Sequence, residues 1–170
     1  MSADVILYSV PVYHMGIPAQ LKAFIDRLGN SMFGRYRSQL PADRETLPRL
    51  LKVIGSIAQG IYVFSGQEST LTDLINHALV MQSVPVSGDL WESYIGAGGW
   101  TLNRGEKDAL QRLAEEEEEK GAMAAVNASR AVGRRAVEMA MIIRAGARAC
   151  REVLARNPLY GPLLSSLEDT

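Results

Sequence analysis

Val5-Ile6-Leu7-Tyr8-Ser9-Val10 is apolar at nearly every position. A strand with one wet face alternates apolar and polar residues. A run without alternation suits a strand buried on both faces, as in a parallel sheet. Pro11 ends the run, Val12 to Gly16 form a loop, and Pro18 fits the first turn of a helix. Leu21, Phe24, Ile25 and Leu28 then recur at helical spacing, and Gly29-Asn30 predicts the helix stop. The unit repeats. A second strand is expected over about Leu51–Ala58, and a polar, glycine-bearing loop over Gln59–Ser69. An amphipathic helix follows through Leu71, Leu74, Ile75, Ala78 and Leu79, with Ser69 or Thr70 as its cap. Val84-Pro85-Val86-Ser87 reads as a third strand, placed at an edge by its proline. Strand, helix, strand, helix, strand is the order of a parallel α/β sheet with crossover helices. Ligands of such sheets gather at the carboxyl ends of the strands. Here those ends are the loops Pro11–Gly16, Gln59–Ser69 and Gly88–Gly99.

The second part of the chain reads differently. Residues 31–49 are a long connection made locally basic by Arg35, Arg37, Arg44 and Arg49, with Gly34, Pro41 and Pro48 as breakers. From Gly105 onward alanine, glutamate and arginine dominate, which predicts a long helix interrupted near Gly121. Val132, Ala136, Met139, Ile143, Ala147, Cys150 and Leu154 form an apolar stripe on it that needs a partner surface. The expected organisation is a domain over residues 1–104, a helical extension over 105–156 serving oligomerisation, and a loosely held tail over 157–170.

Composition narrows the function. Lys+Arg 18 against Asp+Glu 19 gives a net charge of −1, so no global basic field recruits nucleic acid. Seven arginines between Arg130 and Arg156 are read as pairing along and between helices, with a nucleic-acid contact as a weaker reading. Glu115 to Glu119 is read as a solvated face. No apolar run reaches the roughly 18–20 residues of a membrane span, and no secretory signal is visible, so a cytoplasmic location is expected. A single cysteine, Cys150, makes no intrachain disulfide and holds no zinc or iron–sulfur cluster alone; it is read as a small buried apolar residue. His14 and His77 form no metal signature, and His77 is expected to be solvated. No metal ligand is assigned.

The stretch from Ser9 to Arg27, Ser-Val-Pro-Val-Tyr-His-Met-Gly-Ile-Pro-Ala-Gln-Leu-Lys-Ala-Phe-Ile-Asp-Arg, resembles the strand–loop–helix segment of the flavodoxin-like NAD(P)H-dependent FMN reductases and iron–sulfur flavoproteins. Gly66-Gln67-Glu68-Ser69-Thr70-Leu71 is similar to the segment after that family's next strand, and Val86–Asp89 and Gly96–Trp100 fall in the matching order. The resemblance covers roughly residues 3–105. It implies a partial flavodoxin-like parallel sheet carrying FMN, with NAD(P)H as electron donor and flavin, quinone or a similar acceptor. Pro11, Val12, Tyr13 and His14 would line one side of the flavin ring, and Ala58, Gln59 and Gly60 would approach from the next loop. Gly66, Gln67 and Glu68 would shape the pocket or its subunit boundary. Val12 and Tyr13 supply apolar and stacking surface, while Gly60 and Gly66 let backbone come close. Hydride transfer between nicotinamide and flavin requires no proton-shuttling side chain, so no catalytic residue is assigned. Trp91, Tyr94 and Trp100 fit either a cover for the ring or core and interface packing.

Two family features are missing. The iron–sulfur variant needs a cluster of cysteines that this sequence lacks. The Ser/Gly-rich phosphate loop, which in the family precedes the strand at Val5, is also absent, so the flavin phosphate lacks its usual helix N-terminus. The Val5 strand is then expected at an open apolar edge, which invites pairing with a second chain and a homo-oligomer. An internal start, a fragment that pairs its edge, and a relative that no longer binds flavin all fit. The first two are favoured because the ring loop is intact. The rival reading is a non-catalytic, flavin-free flavodoxin-like module for oligomerisation or interaction.

Overall fold

The computed structural model describes residues 3–37, 47–89 and 91–168. Strands β1 (Val5–Pro11) and β2 (Val53–Gly60) pair in parallel along their length, from Val5 against Val53 to Pro11 against Gln59. Two short strands share the other edge of β2. β3 (Val84–Val86) lies beside Val53–Gly55 and β4 (Ala97–Trp100) beside Ile57–Gly60, both parallel. The fold class is therefore the α/β parallel sheet that the sequence order predicts. Among the described residues β1 pairs with β2 alone, and Leu7 on it is 46% exposed. Part of the expected third loop is strand β4. Its Ala-Gly-Gly-Trp sequence carries no β-branched residue, so the strand signal is weak.

Helices cover both faces. α1 (Ala19–Arg37) and α2 (Gln67–Val80) bury Ile25, Leu74 and Ala78 against Tyr8, Val10 and Ile54. On the opposite face α4 (Lys120–Ala149) packs Ala136 and Ala140 on Val53, and Ala128 and Val132 on Ala97. The apolar stripe of the long helix thus meets its own sheet. Its alanines keep the helix close to the strands. Four-residue spacing of Ala128, Val132, Ala136 and Ala140 makes one continuous row of contact.

Several boundaries differ from the sequence expectation for physical reasons. α1 runs through Gly29-Asn30 to Arg37, because Met32 packs with Leu50 and Met81 while Leu28 and Tyr36 close the cluster. That packing outweighs the roughly 1 kcal/mol helix cost of a glycine. Residues 38–46 of the expected connection, with Pro41 and Arg44, lie outside the described residues. The helical extension is interrupted before Gly121: α3 (Ala109–Glu115) ends in the acidic run, and Glu119 begins α4 by accepting the Ala122 N–H at 2.6 Å. Cys150 is exposed, where α4 gives way to the short α5 (Arg151–Leu154). The expected loose tail instead contains α6 (Gly161–Ser166), whose Leu163 and Leu164 are buried with Leu167 against Ala147. Three leucines at helical spacing carried that signal. The arginines of α4 do pair across elements: Arg130 with Glu115, Arg134 and Arg135 with Asp89, and Arg144 with Asp4. Among the described residues no helix is long and apolar enough to cross a membrane.

His77 is half-buried rather than solvated. Its Nε2 lies 3.2 Å from the Tyr8 hydroxyl, and the rings meet edge to face. Burial lowers the His77 pKa and raises that of Tyr8; Asp26 opposes and Lys22 reinforces the change at His77. A histidine lowered in the folded state binds its proton more readily when unfolded. Stability is then full above the ordinary histidine value of about 6.5 and declines as pH falls from there to the folded value. Melting temperatures between pH 7.5 and pH 5 should therefore fall less steeply in His77→Asn than in the parent. Leu74, fully buried between the sheet and α2, should cost about 2–5 kcal/mol when replaced by alanine, as read by urea denaturation.

Candidate functional site

The parallel register ends β1 and β2 at the same level, with Pro11 opposite Gln59. Their following loops therefore emerge side by side. The Val12 N–H donates to the Gln59 carbonyl at 2.8 Å, which carries the pairing one step into the loops.

The first loop then turns sharply. The Tyr13 N–H donates to the Gly16 carbonyl and the Gly16 N–H to the Tyr13 carbonyl, each at 3.1 Å. His14 and Met15 form the tip with φ of +47° and +66°. This is a two-residue turn of the kind that asparagine and glycine fill most readily. A left-handed conformation costs an ordinary residue about 1–2 kcal/mol, so this tip is strained. Tyr13, His14 and Met15 are all exposed.

The second loop is rigid for a different reason. Ser65 Oγ accepts from the Tyr62 N–H at 2.8 Å and donates to the Tyr62 carbonyl at 2.7 Å. Gln67 is buried. Its Oε1 accepts from the Ser65 N–H at 3.1 Å, while its Nε2 donates to the Tyr62 carbonyl at 2.6 Å and the Gly99 carbonyl at 3.1 Å. One side chain therefore ties the loop to itself and to β4. Ile61, Tyr62, Val63 and Phe64 stand out from this frame, and Phe64 is 90% exposed. The expectation of a polar loop was wrong over these four residues. Four consecutive large apolar side chains are held in solvent there.

The structure separates the expected site residues into three groups. Pro11, Val12, Tyr13 and His14 lie on the first loop or its entry, as expected, and Gln59 is exposed at the end of β2. Ala58 is wholly buried within β2, beneath both loops, and presents no surface to a ligand. Gly60, Gly66 and Gln67 are used within the chain. A Cβ on Gly60 would meet Gln67 Nε2 and Ser65 Cβ at 2.6 Å, and one on Gly66 would meet Met15 Cα at 2.5 Å. The space those glycines leave is occupied by the protein itself. Glu68 is exposed in the first turn of α2. Neither Ser69 nor Thr70 caps that helix; Gly66, with φ +99°, precedes it. Of the expected aromatic group, Trp100 packs where α4 starts, close to Gly121, while Trp91 and Tyr94 are exposed. Among the described residues no group of three metal-ligating side chains comes together.

A parallel sheet with helices on both faces and paired loops at its carboxyl edge defines a flavodoxin-like α/β protein, and the family model described as the flavodoxin-like fold matches residues 1–80. Over this segment the chain is similar to that fold family. It is distantly related to a protein named iron–sulfur flavoprotein from Archaeoglobus fulgidus, at 31% identity over 113 residues, 66% of this chain. The chain spans about half the length of that curated relative. Among solved structures, the flavodoxin, WrbA-like protein from Agrobacterium tumefaciens aligns at 18% identity and a TM-score of 0.47, covering 80% of this chain and 68% of that one.

Replacing Gln67 with alanine removes a buried amide and leaves the Tyr62 and Gly99 carbonyls without its donor. A stability loss of about 1–3 kcal/mol is expected. Amide exchange at Ser65 should accelerate beyond that of β2, showing that the loop has loosened locally.

Proposed function

We propose that this chain forms the ring-binding part of an FMN-dependent oxidoreductase that draws electrons from NAD(P)H and delivers them to flavin, quinone or a similar acceptor. The observation that carries the reading is the joining of two loops at the carboxyl ends of adjacent parallel strands, each presenting apolar and aromatic side chains to solvent. Ligands of open α/β sheets bind at this edge. The relationship to flavoproteins supports FMN as the ligand.

The residues present fit a flat aromatic group. Tyr13 is 58% exposed and offers its ring, with Val12 beside it. Ile61 and Tyr62 extend the apolar surface from the second loop, and Pro11, His14 and Gln59 border the first. The Val12 and Tyr13 amides are already engaged within the chain, so the backbone donors left in the first loop are those of the turn tip. Gly60, Gly66 and Gln67 hold the two loops in place, and Glu68 lies at the boundary. When bound, FMN would supply the hydride and electron chemistry; the protein's work is to orient the ring and shield one face from water. No side chain is assigned a proton.

The exposed Ile61–Phe64 segment also suits burial between subunits, and we assign the chain to a homo-oligomer on that ground. Light scattering should return a mass of at least two chains; a monodisperse monomer would sink that assignment.

The decisive experiment is titration of FMN with the purified chain, followed by flavin absorbance and fluorescence. Saturable binding is expected, and Tyr13→Ala should weaken it by about tenfold, or 1.4 kcal/mol, with an unchanged circular dichroism spectrum. A folded parent that binds no FMN would support the flavin-free interaction module instead. Equal affinity in parent and variant would remove Tyr13 from the site.

A further inference from the structure

We propose that Gly66 is a positioning residue: it lets the start of α2 press on the Met15 backbone and so holds the His14–Met15 turn in a left-handed form that these two residues would not keep alone.

Three independent observations converge on this pair of loops. The turn tip places two successive non-glycine residues at positive φ, +47° and +66°. Such a turn is ordinarily filled by Asn-Gly, because asparagine tolerates the left-handed region and glycine has no Cβ to clash there. Something outside the turn must over-determine it, because a strained backbone persists only when its surroundings fix it. The turn's own bonds, Tyr13 to Gly16 and back, are the same in any two-residue hairpin and do not select His-Met. A contact from outside the turn is made by Gly66. A Cβ there would stand 2.5 Å from Met15 Cα and 2.8 Å from both Met15 C and O. The two backbones are therefore packed against each other with no side chain between them. Gly66 is itself at φ +99°, the region glycine enters without penalty.

The clamp has a fixed support. Gly66 is followed directly by Gln67, whose buried amide bonds to the Tyr62 and Gly99 carbonyls. The Gly66 carbonyl accepts from the Thr70 N–H at 3.0 Å and from Thr70 Oγ1 at 2.9 Å. Gly66 is thus anchored to β4 and to the first turn of α2, and Met15 rests on that anchor. On the other side Val12 is bonded to Gln59. The first loop is held to the β2–α2 segment at its start through Val12 and at its tip through Met15. Tyr13, inside the turn, inherits a fixed direction. In this arrangement Gly66 acts on a ligand through Met15 and Tyr13 rather than by touching it. The consequence for FMN rests on the functional reading above, while the claim about the turn does not.

Three proteins test it: the parent, Gly66→Ala, and Gly66→Ala combined with His14→Asn and Met15→Gly. The primary readout is nuclear magnetic resonance of the turn. A strong intraresidue HN–Hα cross-peak marks positive φ, and slow amide exchange at Tyr13 and Gly16 marks the reciprocal bonds. The parent should show both. Gly66→Ala should lose both while β1 and β2 keep their amide protection, and the triple variant should regain them, since Asn-Gly holds the turn unaided. Retention of both signals in Gly66→Ala would overturn the proposal, as would their loss in the triple variant. Should Gly66→Ala fail to fold, His14→Asn with Met15→Gly in the parent background decides. A melting temperature raised by several degrees shows that the native tip is strained and externally held; an unchanged or lower one overturns it. FMN titration adds a separate arm. If the parent binds FMN, Gly66→Ala should bind about tenfold more weakly, because only the fraction with the correct turn is competent, and the triple variant should recover. A parent that binds no FMN sinks the functional reading alone; the resonance signals still decide the turn.

Discussion

The parallel pairing of β1 with β2 is the constraint on which the rest of the structure depends. Antiparallel strands would send their following loops to opposite ends of the sheet. Parallel strands in register send them to the same end, and the pairing of Pro11 with Gln59 brings both loops out at one level. The price is a crossover, which α1 supplies together with the connection after it. Because both faces of a parallel sheet must then be covered, β1 and β2 are apolar at most positions, with α1 and α2 on one side and α4 on the other. Loop proximity, two-sided burial and helix placement are thus one requirement seen at three scales.

That coupling explains why the architecture was legible in the sequence. The absence of alternation in Val5–Val10 announces two-sided burial and hence crossover helices. β2 is buried in that way. β1 instead buries Tyr8 and Val10 on one face and leaves Leu7 and Ser9 exposed on the other, because its outer edge has no described neighbour. The signal weakens where packing rather than patterning decides. Gly29 reads as a stop, yet Met32 and Tyr36 continue the apolar spacing and carry α1 onward over Leu50 and Met81. β4 escaped notice because alanine and glycine make a strand only when a partner edge is waiting, and Ile57–Gly60 is that edge. The stripe on α4 was visible, but a stripe does not say whether its partner lies in the same chain. Its alanines, with Val132, face the sheet at Val53 and Ala97.

The candidate site was legible in location and less so in the role of each residue. Strand ends and the motif around Tyr13 pointed to two loops that the parallel register brings out side by side. Which residues present surface and which hold position depends on backbone geometry that a sequence does not display. Ala58 alternates inward and is lost in the sheet. Gln67 looks like a polar loop residue free to meet a ligand, yet all its polar atoms are engaged inside the protein. His77 looks solvated by its helical position, but a tyrosine on the neighbouring strand reaches it. Ile61–Phe64 sat unmarked between two glycines, since four apolar residues in a row suggest burial and the structure exposes them.

The distribution of polar bonding within the two loops has a physical consequence. Loops usually gain order from a ligand and pay for it in conformational entropy at binding. Here Ser65 and Gln67 satisfy the second loop internally, and Val12, Gly16 and Met15 are fixed against neighbours in the first. The ordering cost is therefore met during folding, from the stability of a sheet whose core includes the fully buried Val53, Leu74 and Val132. What remains free is the apolar surface itself, Tyr13 on one loop and Ile61 to Phe64 on the other. A surface fixed before binding favours a rigid, flat partner, because such a partner loses little freedom in meeting it and needs no induced rearrangement. Left-handed strain at His14 and Met15 is tolerated for the same reason: it lies where the first loop meets the start of α2, and Gly66, without a side chain, is what allows them to touch there.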